Sequence, residues 1–173
     1  MMKMESAMTG GKSNIIVRKV IESDLPVIAK LIDEYNPEHT PSHVPYIEKY
    51  IADPMGAAYA FFVAYGLDDV NGVLGCGGYT PDSDGAMGVY WLGAIYTSRS
   101  HWRSGIGSAI LQHIIRQLKS LGAVKLMTDT GGKENQPEAH NFYVKNGFRL
   151  ISERKKSDGY PEDESIYRLD LVP

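Results

Sequence analysis

The chain has 173 residues, enough for one domain of ordinary size with its own core, and its formal net charge is −3 from 18 Lys plus Arg against 21 Asp plus Glu. A composition of 43% hydrophobic and 23% charged residues excludes wholesale disorder, and the acidic balance gives no footing for nucleic acid. The one cysteine, Cys76, excludes an internal disulfide and a Cys-based zinc site, and no apolar run approaches the ~18–20 residues of a membrane span.

Residues 1–13 are polar, Gly-containing and aperiodic and read as a disordered tail. They carry no apolar h-region, so the expected compartment is the cytoplasm. Asn14–Lys19 (NIIVRK) is a β-branched run and predicts a strand. Ser23 is then the expected N-cap of a helix with Pro26 in its first turn. Leu25, Ile28, Leu31, Ile32 and Tyr35 recur at helical spacing. Pro37, Pro41 and Pro45 are expected to break the next stretch of chain, leaving a short helix over Val44–Ile51. Ala58–Tyr65 and Val73–Tyr79 read as a hairpin around the turn residues Asp68, Asp69, Asn71 and Gly72. Gly75, Gly77 and Gly78 weaken the second strand.

Met87–Tyr96 predicts a long aromatic strand with a bulge at Gly93. Ile106, Ile110, Ile114 and Leu118 step by four through a helix over 104–121 that Gly122 stops. Val124–Thr128 is a strand. Pro137 opens another helix, which Gly147 ends. Phe148–Glu153 and Ser165–Leu171 are the final strands. Hairpins mixed with helical crossovers imply a mixed α/β fold, a sheet covered by helices. Residues 14–173 are expected to form one domain.

Two segments carry chemistry. Arg103-Ser104-Gly105-Ile106-Gly107-Ser108 lies between a strand and the start of the strongest helix, where glycines let free N–H groups cradle an anion. By themselves those glycines equally describe a tight turn. A dinucleotide fingerprint would need a glycine at Ile110, and a P-loop at Gly11-Lys12-Ser13 would need one at Ser6. In the second segment, AHNFYVKNGF over 139–148, Tyr143 sits in a short helix beside Phe142. Alone it reads as a core aromatic.

Taken together in this order, the two segments resemble the GNAT superfamily of acyl-CoA-dependent N-acetyltransferases. RSGIGS resembles its motif A, and AHNFYVKNGF resembles its Tyr-bearing signature. The resemblance covers about residues 14–172. It implies a central, mostly antiparallel sheet of about seven strands flanked by about four helices, with strands 4 and 5 splayed apart. It also implies direct transfer of an acetyl group from acetyl-CoA, as cosubstrate and without a metal, to a primary amine of a small molecule or peptide. A non-catalytic acyl-CoA sensor with the same fold is the alternative. A homodimer is compatible with the family.

The resemblance assigns residue roles as well. Ile95, Tyr96 and Thr97 would pair with the pantetheine arm, and the N–H near Ile95 would serve the oxyanion. Residues Arg103, Ser104, Gly105, Ile106, Gly107 and Ser108 would take the pyrophosphate. Gln136 would stand in for an Asn that contacts CoA, and Tyr143 would be the general acid. The sequence departs from the family at Trp102, where Gln or Arg is usual, and at Tyr90–Leu92 and Gly131, where other members carry a glutamate base. Asp129 or Tyr90, acting through water, are the substitutes. Glu34 and Glu38 are candidates for attracting a cationic amine. The prolines argue against His39 and His43 chelating a metal on a helix, and His101, His113 and His140 read as surface or helix-face residues. Cys76 reads as a small buried hydrophobe.

Overall fold

The computed structural model describes residues 15–35, 37–53, 59–66 and 72–172. The readings on the N-terminal tail, Asn14, Ala58 and the turn at Asp68, Asp69 and Asn71 lie outside the described residues. In chain order the elements are β1 (Ile15–Lys19), α1 (Leu25–Asp33), α2 (Thr40–Ala52), β2 (Ala60–Gly66), β3 (Val73–Pro81), β4 (Val89–Leu92), β5 (Tyr96–Thr97), α3 (Ile106–Ser120), β6 (Lys125–Gly131), α4 (Pro137–Lys145), β7 (Arg149–Arg154) and β8 (Glu164–Asp170). Among the described residues this is a mixed α/β fold with a mostly antiparallel sheet of eight strands and four α-helices. The extra strand arises because the expected strand over 87–96 is two strands. The chain leaves β4 after Leu92, and β5 begins only at Tyr96. No helix among the described residues is long and apolar enough to cross a membrane.

The chain divides into two compact units, one of residues up to 78 with 94–113 and one of 79–93 with 114–173. In the first unit β1 pairs antiparallel with β2, from Ile15 opposite Gly66 to Lys19 opposite Phe62. Strand β2 adjoins β3, and β5 lies antiparallel on β3 with Cys76 opposite Tyr96. The run Ala60–Ala64 is buried throughout.

The start of α1 differs from the sequence reading. Ser23 falls inside a 3₁₀ turn (Glu22–Asp24), and Asp24 occupies the cap position without a side-chain cap bond. Its carboxylate reaches back instead, accepting from Ile21 N–H at 2.9 Å and from both Arg18 guanidinium nitrogens at 2.6 and 2.8 Å. Burial alone would raise the Asp24 pKa, but these bonds and the Arg18 charge hold it below the ordinary carboxylate value. A charge-assisted fork thus ties the entrance of α1 to β1.

Helix α2 also starts earlier than expected, at Thr40, and runs through Pro41 and Pro45. Pro41 sits in the first turn, where a backbone N–H has no helical partner to lose. Pro45 forfeits one bond, to the Pro41 carbonyl, while Ile47 and Tyr50 bury the helix's apolar side.

The glycines of β3 have a packing reason. A Cβ on Gly75 would meet Ile106 Cγ2 at 2.7 Å and the Tyr96 carbonyl at 3.0 Å. One on Gly78 would meet the Ala60 carbonyl at 2.4 Å. Only a strand without side chains at these positions lets α3 and the neighbouring strands approach this closely.

In the second unit, residues 79–81 of β3 pair antiparallel with β4, and β4 pairs parallel with β6 from Val89–Lys125 to Trp91–Met127. Strand β8 is antiparallel to both β6 and β7. On its β4 edge β6 is paired only as far as Met127, whereas on its β8 edge it is paired to Gly131. The strands expected to splay therefore part after Met127. Helices α3 and α4 both end as their glycines predict. Gly122 (φ +76°) and Gly147 (φ +88°) take left-handed conformations. The next N–H closes back onto the helix, Ala123 to Leu118 C=O and Phe148 to Tyr143 C=O, each at 3.0 Å.

Cys76 is fully buried in β3, and burial pushes its thiol up to about 12. The thiolate is the reactive species. Alkylation by iodoacetamide at pH 8 is expected to run at least ~100-fold slower than for a free cysteine of pKa ~8.5. Labelling of the native protein at the free-thiol rate would show that β3 is not packed as described.

Candidate active site

In the first unit the loop between β5 and α3 is shaped by two left-handed residues, Arg103 (φ +63°) and Gly105 (φ +91°). The Ser104 hydroxyl and N–H both reach the His101 carbonyl. The first bond of α3 runs from Ala109 N–H to Gly105 C=O at 2.9 Å. The N–H groups of Gly105, Ile106, Gly107 and Ser108 thus precede the helical ladder, at its positive end. Nothing lies within 4 Å of a Cβ placed on Gly105, so this mouth opens on free space. Ile106, Ile110 and Leu111 are buried and anchor the turn from below.

The edge of β5 is set by hydrogen-bond parity. Ser98 N–H donates to Leu74 C=O at 2.8 Å, which makes 74/98 a bonded pair. Alternation then makes Cys76–Tyr96 the next bonded pair and Gly75–Thr97 an unbonded one. The Tyr96 backbone is turned to β3, and that of Thr97 is turned to the other edge. There the Thr97 carbonyl accepts the Tyr35 hydroxyl at 2.8 Å, and Tyr35 oxygen in turn accepts Trp102 Nε1–H at 2.5 Å. Arg99 stacks over both rings, at 5.5 Å from Tyr35 and 5.9 Å from Trp102. Its N–H donates to Glu34 at 3.0 Å, so Glu34 is a structural acceptor here. Tyr35 and Trp102, in the sequence a helix-face aromatic and a motif departure, act together as a clasp.

The second unit holds Tyr143. It is buried, ringed by Phe142, Phe148 and Tyr167 at 5.5–5.6 Å between centroids. Burial raises its phenol above the ordinary value, a hydrogen bond with Thr128 pulls it down, and the charge of Asp129 raises it again. Thr128 and Thr130 lie on the buried side of β6. The Thr130 hydroxyl donates to Gln136 Oε1 at 2.5 Å, and Gly131 N–H donates to the same oxygen at 3.3 Å. The inward side of the Gln136 amide is therefore occupied by β6.

His140 is not on the surface. It is buried on α4, with Nδ1 2.6 Å from Tyr167 OH and Nε2 2.9 Å from Gly131 C=O. Its position three residues before Tyr143 puts both on one helix face, a spacing that could have marked it.

Asp129 is on the opposite side of β6 from Thr128 and Thr130. Its carboxyl is raised, first by burial and then by the charge of Glu164, with Arg154 opposing. Tyr90 packs edge-on against Tyr79 at 5.6 Å, and Trp91 donates to Asp82 at 2.7 Å. His39 and His43 do stack at helical spacing, at 5.3 Å, because α2 forms despite its prolines. Among the described residues no group of three or more His, Cys, Asp or Glu could hold a metal ion.

The model of the acetyltransferase (GNAT) family matches residues 26–148. No curated protein matches the chain by sequence. Among solved structures, one of the GNAT family from Desulfovibrio desulfuricans aligns with a TM-score of 0.81 at 20% identity, covering 91% of this chain and 99% of that one. The ribosomal-protein-S18-alanine N-acetyltransferase from Escherichia coli aligns at 0.68 and 19% identity, over 92% and 95%. A phosphinothricin acetyltransferase from Sinorhizobium meliloti, in complex with AcCoA, aligns at 0.72 and 19% identity, over 91% and 88%. At these identities the likeness is one of fold.

Gly105 tests the geometry of the loop by itself. With open space around its Cβ position, Gly105→Ala meets no clash and incurs only the left-handed backbone strain, about 1–2 kcal/mol. Denaturant unfolding should show a loss of that size. An unchanged midpoint would mean that residue 105 is not held at positive φ.

Proposed function

Because the chain belongs to the GNAT family of acetyltransferases, we propose that it transfers the acetyl group of acetyl-CoA directly to a primary amine of a small molecule or peptide. The observation that carries this reading is the run of N–H groups at Gly105–Ser108, ahead of the first α3 bond and open to solvent at Gly105. Such a mouth suits a pyrophosphate, whose charge it meets with dipoles already oriented. The solved relative with AcCoA bound supports the same donor.

The other roles follow from the residues. Thr97 N–H, on the edge turned away from β3, pairs with an amide of the pantetheine arm, and Ile95 continues the same alternation. Tyr96 contributes its buried ring, since its backbone is committed to β3. Ile95 N–H donates to the oxyanion that develops on the acyl carbonyl. Gln136 offers its outward amide to the donor while Thr130 holds the inward side.

Tyr143 protonates the leaving sulfur. Its raised phenol is fully protonated at neutral pH and so has a proton to give. Donation to a thiolate of pKa ~8.5 from a phenol of ~10 or above is uphill by about 2 kcal/mol or more. The Thr128 hydrogen bond stabilises the phenolate and offsets part of that. Asp129 accepts the amine's proton through water. Its raised carboxyl is a better match to that task than an ordinary one, and its charge is felt at Tyr143.

Two variants test this. Gly105→Asp places a negative side chain in the mouth of the cradle and should abolish acetyl-CoA binding by calorimetry. Binding at the parent's affinity would remove the assignment. Tyr143→Phe keeps the ring packing and removes the hydroxyl, both the proton donor and the partner of Thr128, so kcat should fall at least ~10-fold with acetyl-CoA affinity unchanged and stability lowered by about 1–3 kcal/mol. Turnover at the parent rate would make Tyr143 a packing residue. A parent protein that binds acetyl-CoA but releases no thiol with any amine would be the sensor instead.

A further inference from the structure

Asp129 lies on the face of β6 opposite to Thr128, the partner of Tyr143. Strand register decides which side chains share that face. Asp129 is opposite Ile166 of β8, and Gly131 is opposite Glu164. Glu164 is therefore the diagonal neighbour of Asp129 on the same face, with Cβ atoms about 7 Å apart. Arg154 of β7 is directly opposite Glu164, and its Nη1 donates to Glu164 Oε2 at 2.9 Å. A carboxylate is thus set beside Asp129, and a guanidinium holds it there from the far side.

The other charges on this face are committed elsewhere. Arg168, opposite Met127, is the second diagonal neighbour of Asp129, but its Nε lies 3.1 Å from Asp170 Oδ1, toward the other end of β8. Arg149 of β7 pairs with the same Asp170 carboxylate, and Lys125 of β6 is opposite it. Tyr90 of β4 is opposite Leu126, on the other face of β6. From α4, Tyr143 also meets β6 on that other face and is uncharged at neutral pH. In the turn beyond, Glu153 and Asp163 share Lys155. Asp129 is itself exposed to solvent, as a base that works through water requires.

A negative charge beside a carboxylate favours its protonated form. We propose that Glu164 is a positioning residue for the transfer: held by Arg154, it keeps a negative charge beside Asp129 and makes Asp129 a better acceptor for the amine's proton. The proposal rests on the acetyl-transfer reading, in which Asp129 takes that proton through water. The proton passes from the amine nitrogen to the water and from the water to the Asp129 carboxylate, while Glu164 and Arg154 exchange nothing. The directions at Asp129 agree, since the charge of Glu164 raises its carboxyl and that of Arg154 opposes. Burial comes first among the causes, so Glu164 adjusts the base rather than creating it.

The test is a ¹³C NMR titration of the aspartate side-chain carboxyls in the full-length protein at low salt, with the Asp129 signal assigned by its loss in Asp129→Asn. Two unit charges about 7 Å apart in water shift a titration midpoint by about 0.4 pH units. Glu164→Gln should lower the Asp129 midpoint by about that amount. Arg154→Gln should raise it by about 0.2 pH units, its charge standing further off. The two side chains are 33% and 45% exposed, so both substitutions leave the packing in place. In 1 M NaCl, where the screening length is ~3 Å, each shift should shrink to about 0.1 pH unit or less. A merely structural role would not move the midpoint in opposite directions. An unmoved midpoint in Glu164→Gln, or the same direction in both variants, overturns the proposal whatever the activity. The acid limb of kcat, read by thiol release with an amine that the parent turns over, should follow the same two shifts. Midpoints that move while the limb stays in place remove Asp129 as the base, and Glu164 from the reaction with it. Absence of turnover with every amine overturns the acetyl-transfer reading instead, and the titration still decides whether Glu164 sets Asp129.

Discussion

The approach of α3 and β5 to the glycines of β3 is the constraint from which the loop ahead of α3 and the free edge of β5 follow. Ile106 occupies the space where a side chain on residue 75 would stand, and Ile110 presses on both Gly75 and Gly77. That contact fixes where the first turn of α3 sits, and with it the direction of the N–H groups ahead of the helix. It fixes β5 as well, because the Tyr96 carbonyl lies against Gly75. A methyl group at this place would push the helix or the strand by a few tenths of an ångström or more. Interiors packed to crystal-like density transmit such shifts rather than absorb them.

The second unit is organised by polar groups instead of by close backbones. Thr128, Thr130 and Ser165 are buried polar residues of β6 and β8, and His140 joins them from α4. Thr130 is bonded to Gln136, His140 to Tyr167, and Thr128 to Tyr143. A satisfied network of this kind rigidifies the region, because any single loss leaves a buried group unpaired at a cost of about 1–3 kcal/mol. The Schellman closure at Gly147 adds to it by setting Phe148 against the Tyr143 ring. The phenol is thereby held in one orientation, as the proton donation proposed for it requires.

The Tyr35–Trp102 clasp shows how a motif departure can be absorbed. Where the motif that the sequence resembles has a polar residue, this chain has an indole whose N–H reaches a tyrosine in the turn after α1. Arg99 covers both rings with its guanidinium, so a cation returns to this place, though from three residues earlier in the chain. The clasp also occupies the Thr97 carbonyl, one of the two polar groups on the free edge of β5.

What the sequence by itself determined were the features that repeat or punctuate locally. The four-residue step of isoleucines marked α3, Gly122 and Gly147 marked two helix ends, and two short motifs marked the family and most of the candidate site. These were legible because helix periodicity and left-handed caps depend on neighbours within a few residues. Tertiary structure decided what depends on distant partners. Asp24 leaves α1 without a side-chain cap because Arg18 on β1 and Ile21 N–H claim its carboxylate, α2 survives Pro45 because Ile47 and Tyr50 are buried, and His140 is internal because the β6 carbonyl and Tyr167 meet it there. The glycines of β3 read as weakness in the sequence and as necessity in the fold, since only the approach of Ile106 and the Tyr96 carbonyl, far along the chain, gives their missing side chains a purpose.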